Sequence, residues 1–122
     1  AHFKSAFDFA NFVQCGEDTV KCWDALRPYI VYIHIKDAVS TDKENVLCGT
    51  GEGKIPELLH KAIVEEGYTG FLTLEPHLVL FDSLQSLETT DAKNIIRENK
   101  YKNGAEGYAA QYHALCDILA KF

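Results

Sequence analysis

Tyr29-Ile30-Val31-Tyr32-Ile33-His34-Ile35-Lys36-Asp37 is the stretch that decides the fold. It is β-branched and aromatic, and it is apolar on both faces. A strand in a parallel sheet, covered on both sides, reads this way. Alternation puts Ile30, Tyr32, His34 and Lys36 on one face and Val31, Ile33 and Ile35 on the other. The purely apolar face is expected to pack on helices. The face with His34 and Lys36 then points elsewhere.

On the N-terminal side, Phe3 to Phe12 reads as a short strand ending near Asp8. Gly16-Glu17-Asp18-Thr19 places acids in the first turn of a helix. Val20, Trp23 and Leu26 recur at helical spacing, and Pro28 limits that helix. On the C-terminal side a loop is expected from Ala38 to Lys54, with glycines at 49, 51 and 53. Pro56 suits the first turn of a helix whose apolar stripe is Ile55, Leu58, Leu59, Ala62 and Ile63, with Gly67 as its C-terminal cap. Gly70 to Glu75 reads as a third strand closed by Pro76. Phe71, Thr73 and Glu75 lie opposite Leu72 and Leu74. The stretch from His77 to Asn103 is weakly patterned, with a short helix expected over Asp91 to Asn99. A final helix is expected over Ala105 to Lys121, with Ala105, Tyr108, Ala109, Tyr112, Leu115, Cys116 and Leu119 on one face. The order is β-α-β-α-β-(irregular)-α, an α/β fold built from parallel βαβ units. No internal repeat, linker or low-complexity segment interrupts it.

The chain has 122 residues, 47% hydrophobic and 25% charged. That suffices for one core and one domain over residues 1–122, and it is too apolar for disorder. No run approaches the ~18 apolar residues of a membrane span, and no basic segment followed by an apolar one opens the chain as a secretory signal. The net charge of −6 argues against nucleic acid as a partner, because phosphate contacts need a basic face. Cys15, Cys22, Cys48 and Cys116 form no CxxC pair. They sit within apolar patterns and are expected to be buried free thiols in a reducing, cytoplasmic compartment.

In parallel α/β folds the ligand lies beyond the carboxyl ends of the strands. All three strands end in groups able to bind a metal: Asp8 on the first, His34 and Asp37 on the second, Glu75 on the third. A single strand-end acid is commonly a helix N-cap, and a lone His in an apolar strand is commonly a hydrogen-bonded core residue. Three such groups at one end of consecutive strands form a stronger signal. One His with two carboxylates suits Mn²⁺, Mg²⁺, Co²⁺ or Zn²⁺. Gly49-x-Gly51-x-Gly53-Lys54 is not a phosphate loop, since Ile55 stands where Ser or Thr would hold the metal. It reads as a flexible loop whose glycines allow close backbone approach, with Lys54 in reach of an anionic substrate. Glu88 to Lys102 reads as a solvated face.

The chain resembles the C-terminal part of the sugar phosphate isomerase/epimerase family, the xylose isomerase-like TIM barrels. The matching pieces are Phe7-Asp8-Phe9-Ala10-Asn11-Phe12, Tyr32-Ile33-His34-Ile35-Lys36-Asp37, Gly49-Thr50-Gly51-Glu52-Gly53-Lys54-Ile55, Glu66-Gly67-Tyr68-Thr69-Gly70 and Leu72-Thr73-Leu74-Glu75-Pro76. They cover roughly residues 3 to 80, plus the closing helix. The resemblance implies strands six to eight of a (β/α)8 barrel, a fold that takes about 250 residues when complete. On this reading the absence of Met and the start at Ala1 are expected of a piece of a longer protein. The resemblance further implies one divalent metal, Mn²⁺ first, held by Asp8, His34 and Glu75, with a fourth ligand, a Glu, lying ahead of residue 1. It implies a sugar or sugar phosphate substrate, proton transfer through an enediolate, and Glu75 as one of two catalytic bases. It points to Asn11 and Lys36 as substrate-binding residues and to Asp37 as an orienting or substrate-binding group, beside Lys54 from the glycine loop. Asn11 stands where ketose epimerases carry a His. The Arg that those enzymes place after their HxxE/D motif is absent, with Ser40 nearby, so the sugar is left open. The isolated chain is expected to be weakly active or inactive, needing the missing half of the barrel or a second copy. Two alternatives remain: a non-catalytic half-barrel that pairs with itself or a partner across its strand edges, and an endonuclease IV-like repair enzyme. The second would need more His ligands than His34 and a surface less acidic than this one.

Overall fold

The computed structural model describes residues 2–79 and 100–122. Strand β1 (Ser5–Asp8) runs into helix α1 (Phe9–Gln14), followed by helix α2 (Thr19–Leu26) and strand β2 (Ile30–Ile35). A two-residue antiparallel ladder pairs β3 (Asp37–Ala38) with β4 (Asn45–Val46). Helix α3 (Ile55–His60) continues into a π-helical turn over Lys61–Glu65, and strand β5 (Phe71–Leu74) and helix α4 (Gly104–Leu119) follow. The three-stranded sheet is parallel, in the order β1-β2-β5. The α/β class and the three parallel strands therefore stand as expected. The expected helix over Asp91 to Asn99 lies outside the described residues.

Helix α1 is an addition. The strand ends at Asp8 as expected, but Phe9-Ala10-Asn11-Phe12-Val13 carried no expected helix of its own. Asp8 ends the strand and starts the helix. Its backbone is extended, and its side chain accepts the Asn11 N–H at 3.0 Å as an N-cap. Asp18 caps α2 in the same way through Val20 and Lys21. Pro56 sits in the first turn of α3 as expected, and Gly67 takes a positive φ of 66° just past the π turn.

The core lies between one face of the sheet and the helices. Phe7 packs on Phe9, Phe12 and Trp23 with ring centroids 4.8–5.1 Å apart. Ile33, Ile35, Leu58, Leu59, Leu115 and Ile118 complete the cluster, with Leu72 and Leu74 against it. Strict alternation fails at the start of β2. Ser5 pairs with Ile30 but Ala6 pairs with Tyr32, so Val31 is an extra residue in the register. Ile30 joins the core with Ile33 and Ile35, whereas Val31 is 48% exposed. Beyond this irregularity the expected faces hold. His34 stands level with Asp8 and Thr73, and Tyr32 with Ala6 and Phe71.

The inward face of α4 differs from expectation. Gly107, Gln111, Leu115 and Ile118 are buried, while Tyr108, Tyr112 and Cys116 are exposed. The reason is Gln111, which is fully buried. Its Nε2 donates to the Ile35 carbonyl at 3.0 Å, and its Oε1 accepts the Cys48 N–H at 3.1 Å. This amide gives the buried Cys48 N–H its acceptor and adds a second donor to the Ile35 carbonyl, which outweighs the apolar count of the neighbouring stripe. The thiols also differ from expectation. All four are free, but only Cys48 is buried, Cys22 is half-buried, and Cys15 and Cys116 are exposed. Cys15 follows the end of the unforeseen helix α1, and Cys116 lies on the outward side of α4.

Candidate metal centre

The three strands deliver their polar ends to one place. Asp8 closes β1, His34 sits one residue before the end of β2, and Glu75 directly follows β5 with its N–H donated to the Ile35 carbonyl at 3.1 Å. A ligand atom from each of Asp8, His34 and Glu75 lies within 4.8 Å of the other two. The His34 Nδ1 is 2.8 Å from Glu75 Oε2 and 3.7 Å from Asp8 Oδ2. Lys36 is buried, with its Nζ 3.9 Å from the same Asp8 oxygen.

The lone pairs at this end of the sheet are unevenly used. Asp8 Oδ1 is taken by the helix cap, but the donors facing Oδ2 stand at 3.7 and 3.9 Å, beyond hydrogen-bonding distance. Asp8 is thus both an N-cap and a candidate ligand, one role for each oxygen. Burial pushes its carboxyl above the usual value of 3.8, against the pull of Lys36 and of the Asn11 amide. Burial also acts on Glu75, but Lys36, His77 and His34 outweigh it and hold that carboxyl below its usual 4.5. Two carboxylates and an imidazole, with the nearest ammonium too far for a hydrogen bond, make an oxygen-rich donor set able to hold a divalent cation.

Sequence reasoning missed His77. Its Nε2 lies 2.9 Å from Glu75 Oε1, so Glu75 stands between two imidazoles. The available signal was the run Glu75-Pro76-His77. A proline ending a strand forces a bend, and a bend brings the residue after it back toward the one before. Beneath the site, Tyr32 lies edge-on to His34 with centroids 5.4 Å apart, and its hydroxyl is hydrogen-bonded by Thr73.

The implied substrate residues scatter. Lys36 reaches the site. Asn11 adjoins it through its backbone amide and is exposed. Asp37 does something else: its carboxylate is fully buried and accepts four backbone N–H groups, from Gly49 and Gly51 on Oδ2 and from Gly53 and Ala38 on Oδ1, at 2.9–3.0 Å. Its lone pairs are spent, so it anchors the glycine loop rather than contacting a substrate. The loop is correspondingly tied down instead of flexible. Close backbone approach, the other part of that expectation, is met: a Cβ at Gly51 would fall 2.5 Å from Asp37 Oδ1. Lys54 is exposed at the loop's end and lines a separate groove of about 440 Å³ with Val13, Gly16, Ser40 and Glu52.

No protein-family model, curated protein or solved structure matches this chain. Among the described residues no helix is long and apolar enough to cross a membrane.

Proposed function

We propose that this chain carries the metal centre of a sugar or sugar phosphate isomerase or epimerase, built as part of a xylose isomerase-like TIM barrel. The observation that supports it is the convergence of Asp8, His34 and Glu75 within 4.8 Å at the carboxyl ends of three adjacent parallel strands. Mn²⁺ is the favoured ion, with Mg²⁺, Co²⁺ and Zn²⁺ able to use the same oxygen-rich set. When bound, the ion polarises the carbonyl and hydroxyl of a sugar, so that the carbon between them loses a proton more readily. Glu75, held below the usual carboxylate range, is ionised at neutral pH and is one of the two bases that move that proton. Lys36 supplies a fixed positive charge beside the two carboxylates.

Electron spin resonance of the chain titrated with Mn²⁺ tests this reading. One bound ion is expected, lost in His34→Ala. Its water-proton relaxation should change when a ketose or ketose phosphate is added, and not when the corresponding alditol is. A chain that binds no Mn²⁺, or whose bound Mn²⁺ ignores every carbonyl sugar, overturns the proposal.

A second reading, a half-barrel that associates through its sheet, is supported by the edge strand β5, where Phe71 is 75% exposed. Sedimentation decides it, since a monomer at micromolar concentration excludes it.

A further inference from the structure

Resting on the metal reading above, we infer that His77 is a positioning residue that ties up one oxygen of Glu75 and leaves only the other to the metal. The argument begins with the backbone. Glu75 precedes Pro76, so its own conformation is restricted to the extended region. Pro76 is buried and has no N–H to continue the sheet. His77 then adopts a φ of 45°, in the left-handed region that favours glycine. That bend carries the imidazole back over the strand end, where Nε2 meets Glu75 Oε1 at 2.9 Å. The opposite oxygen, Oε2, is the one that faces His34 Nδ1 at 2.8 Å. Each oxygen of this carboxylate therefore has its own direction, one outward to His77 and one inward to the ligand group.

A carboxylate fixed in this way serves a metal through a single oxygen. Ca²⁺ commonly takes carboxylates through both oxygens and needs six to eight ligands, whereas smaller ions accept fewer and tighter contacts. His77 thus sets the preference of the centre for ions of the size of Mn²⁺ over Ca²⁺, and partners of this kind typically alter metal affinity by about ten- to a hundredfold.

Two substitutions separate the side chain from the bend. His77→Gly keeps, and eases, the left-handed backbone while removing the imidazole. Mn²⁺ affinity should fall about tenfold or more, and the ratio of Ca²⁺ to Mn²⁺ affinity should rise, while the melting temperature holds or increases. His77→Asn, which also tolerates the left-handed conformation and retains a donor, should restore part of the Mn²⁺ affinity. In the metal-free chain, long-range proton–nitrogen spectra should show a protonated, hydrogen-bonded Nε2 on His77 that disappears in Glu75→Ala. If His77→Gly binds both ions as the original chain does, or if that Nε2 bond is absent, the inference is wrong even with the metal centre intact. If the unsubstituted chain binds no divalent ion, the metal reading fails first and this inference fails with it.

Discussion

Asp37 and Glu75 both stand at the carboxyl end of the sheet, one beyond β2 and the other beyond β5, and they do opposite work. Asp37 is fully buried, and four backbone amides consume its oxygens. Glu75 is half-buried and touches only side chains through its carboxylate, which therefore stays available for exchange. A strand-end acid becomes a ligand when its lone pairs are left for something mobile, and a brace when the backbone claims them. Position alone does not separate the two.

The largest expected effect strikes the brace. Asp37→Ala strands the loop amides, some of them buried, and should cost more than about 3 kcal/mol in urea unfolding. Glu75→Gln should change stability by less than about 1 kcal/mol, the ordinary range for a partly exposed ion pair. Its effect should appear in Mn²⁺ binding instead, weakened at least tenfold by calorimetric titration. Equal stability losses in the two variants would erase the distinction. A smaller loss, about 2 kcal/mol, is expected from Gly51→Ala, because the added methyl meets Asp37 Oδ1 at 2.5 Å and the Ala38 carbonyl at 2.6 Å.

Acid should sharpen the contrast further. Glu75 is held below its usual 4.5 in the folded chain, so its ion pairs stabilise the fold above that pH and stop doing so as pH falls through the lowered folded value. The stability difference between the original chain and Glu75→Gln should close over that range. A constant difference from pH 6 down to pH 3 would contradict it.

The thiols extend the contrast to alkaline pH. Burial, with Asp37 nearby, pushes the Cys48 thiol up to about 12, so it holds its proton at pH 8. Exposed Cys15 and Cys116 should be alkylated in the folded chain, Cys22 more slowly, and Cys48 only on unfolding. Above pH 9 the unfolded chain releases the Cys48 proton and the folded one does not, so stability should decline toward pH 12.

Much of the fold was legible because it rested on local chemistry. The run from Tyr29 to Asp37 announced the central strand, Ile30–Ile35, Pro56 marked a helix start, and the strand ends lined up Asp8, His34 and Glu75 without any knowledge of distance. The rest depended on partners far away in the chain. Helix α1 went unseen because a short apolar run from Phe9 to Val13 has no clear period of its own, and its cap was a side chain already counted as a ligand. Gln111 hid the true inward face of α4, since a buried polar residue is explained only by the backbone groups it meets, on β2 and beside Cys48. Asp37 looked like a site residue until its four donors were seen. His77 was overlooked because its importance lies in a backbone bend rather than in a strand position.

The irregular pairing at Val31 has a consequence for how such a centre can change over time. With regular pairing from Ser5 onward, Asp8 would stand level with Ile33, a core residue, rather than with His34. The centre is thus encoded in residue count as well as residue identity. Deleting Val31 would make the pairing regular and still leave Asp8 level with His34, whereas removing a residue between Tyr32 and His34 would set Asp8 level with Ile35, a core residue. Length change between Tyr32 and His34 therefore breaks the candidate site, whereas loss of the extra residue ahead of it does not.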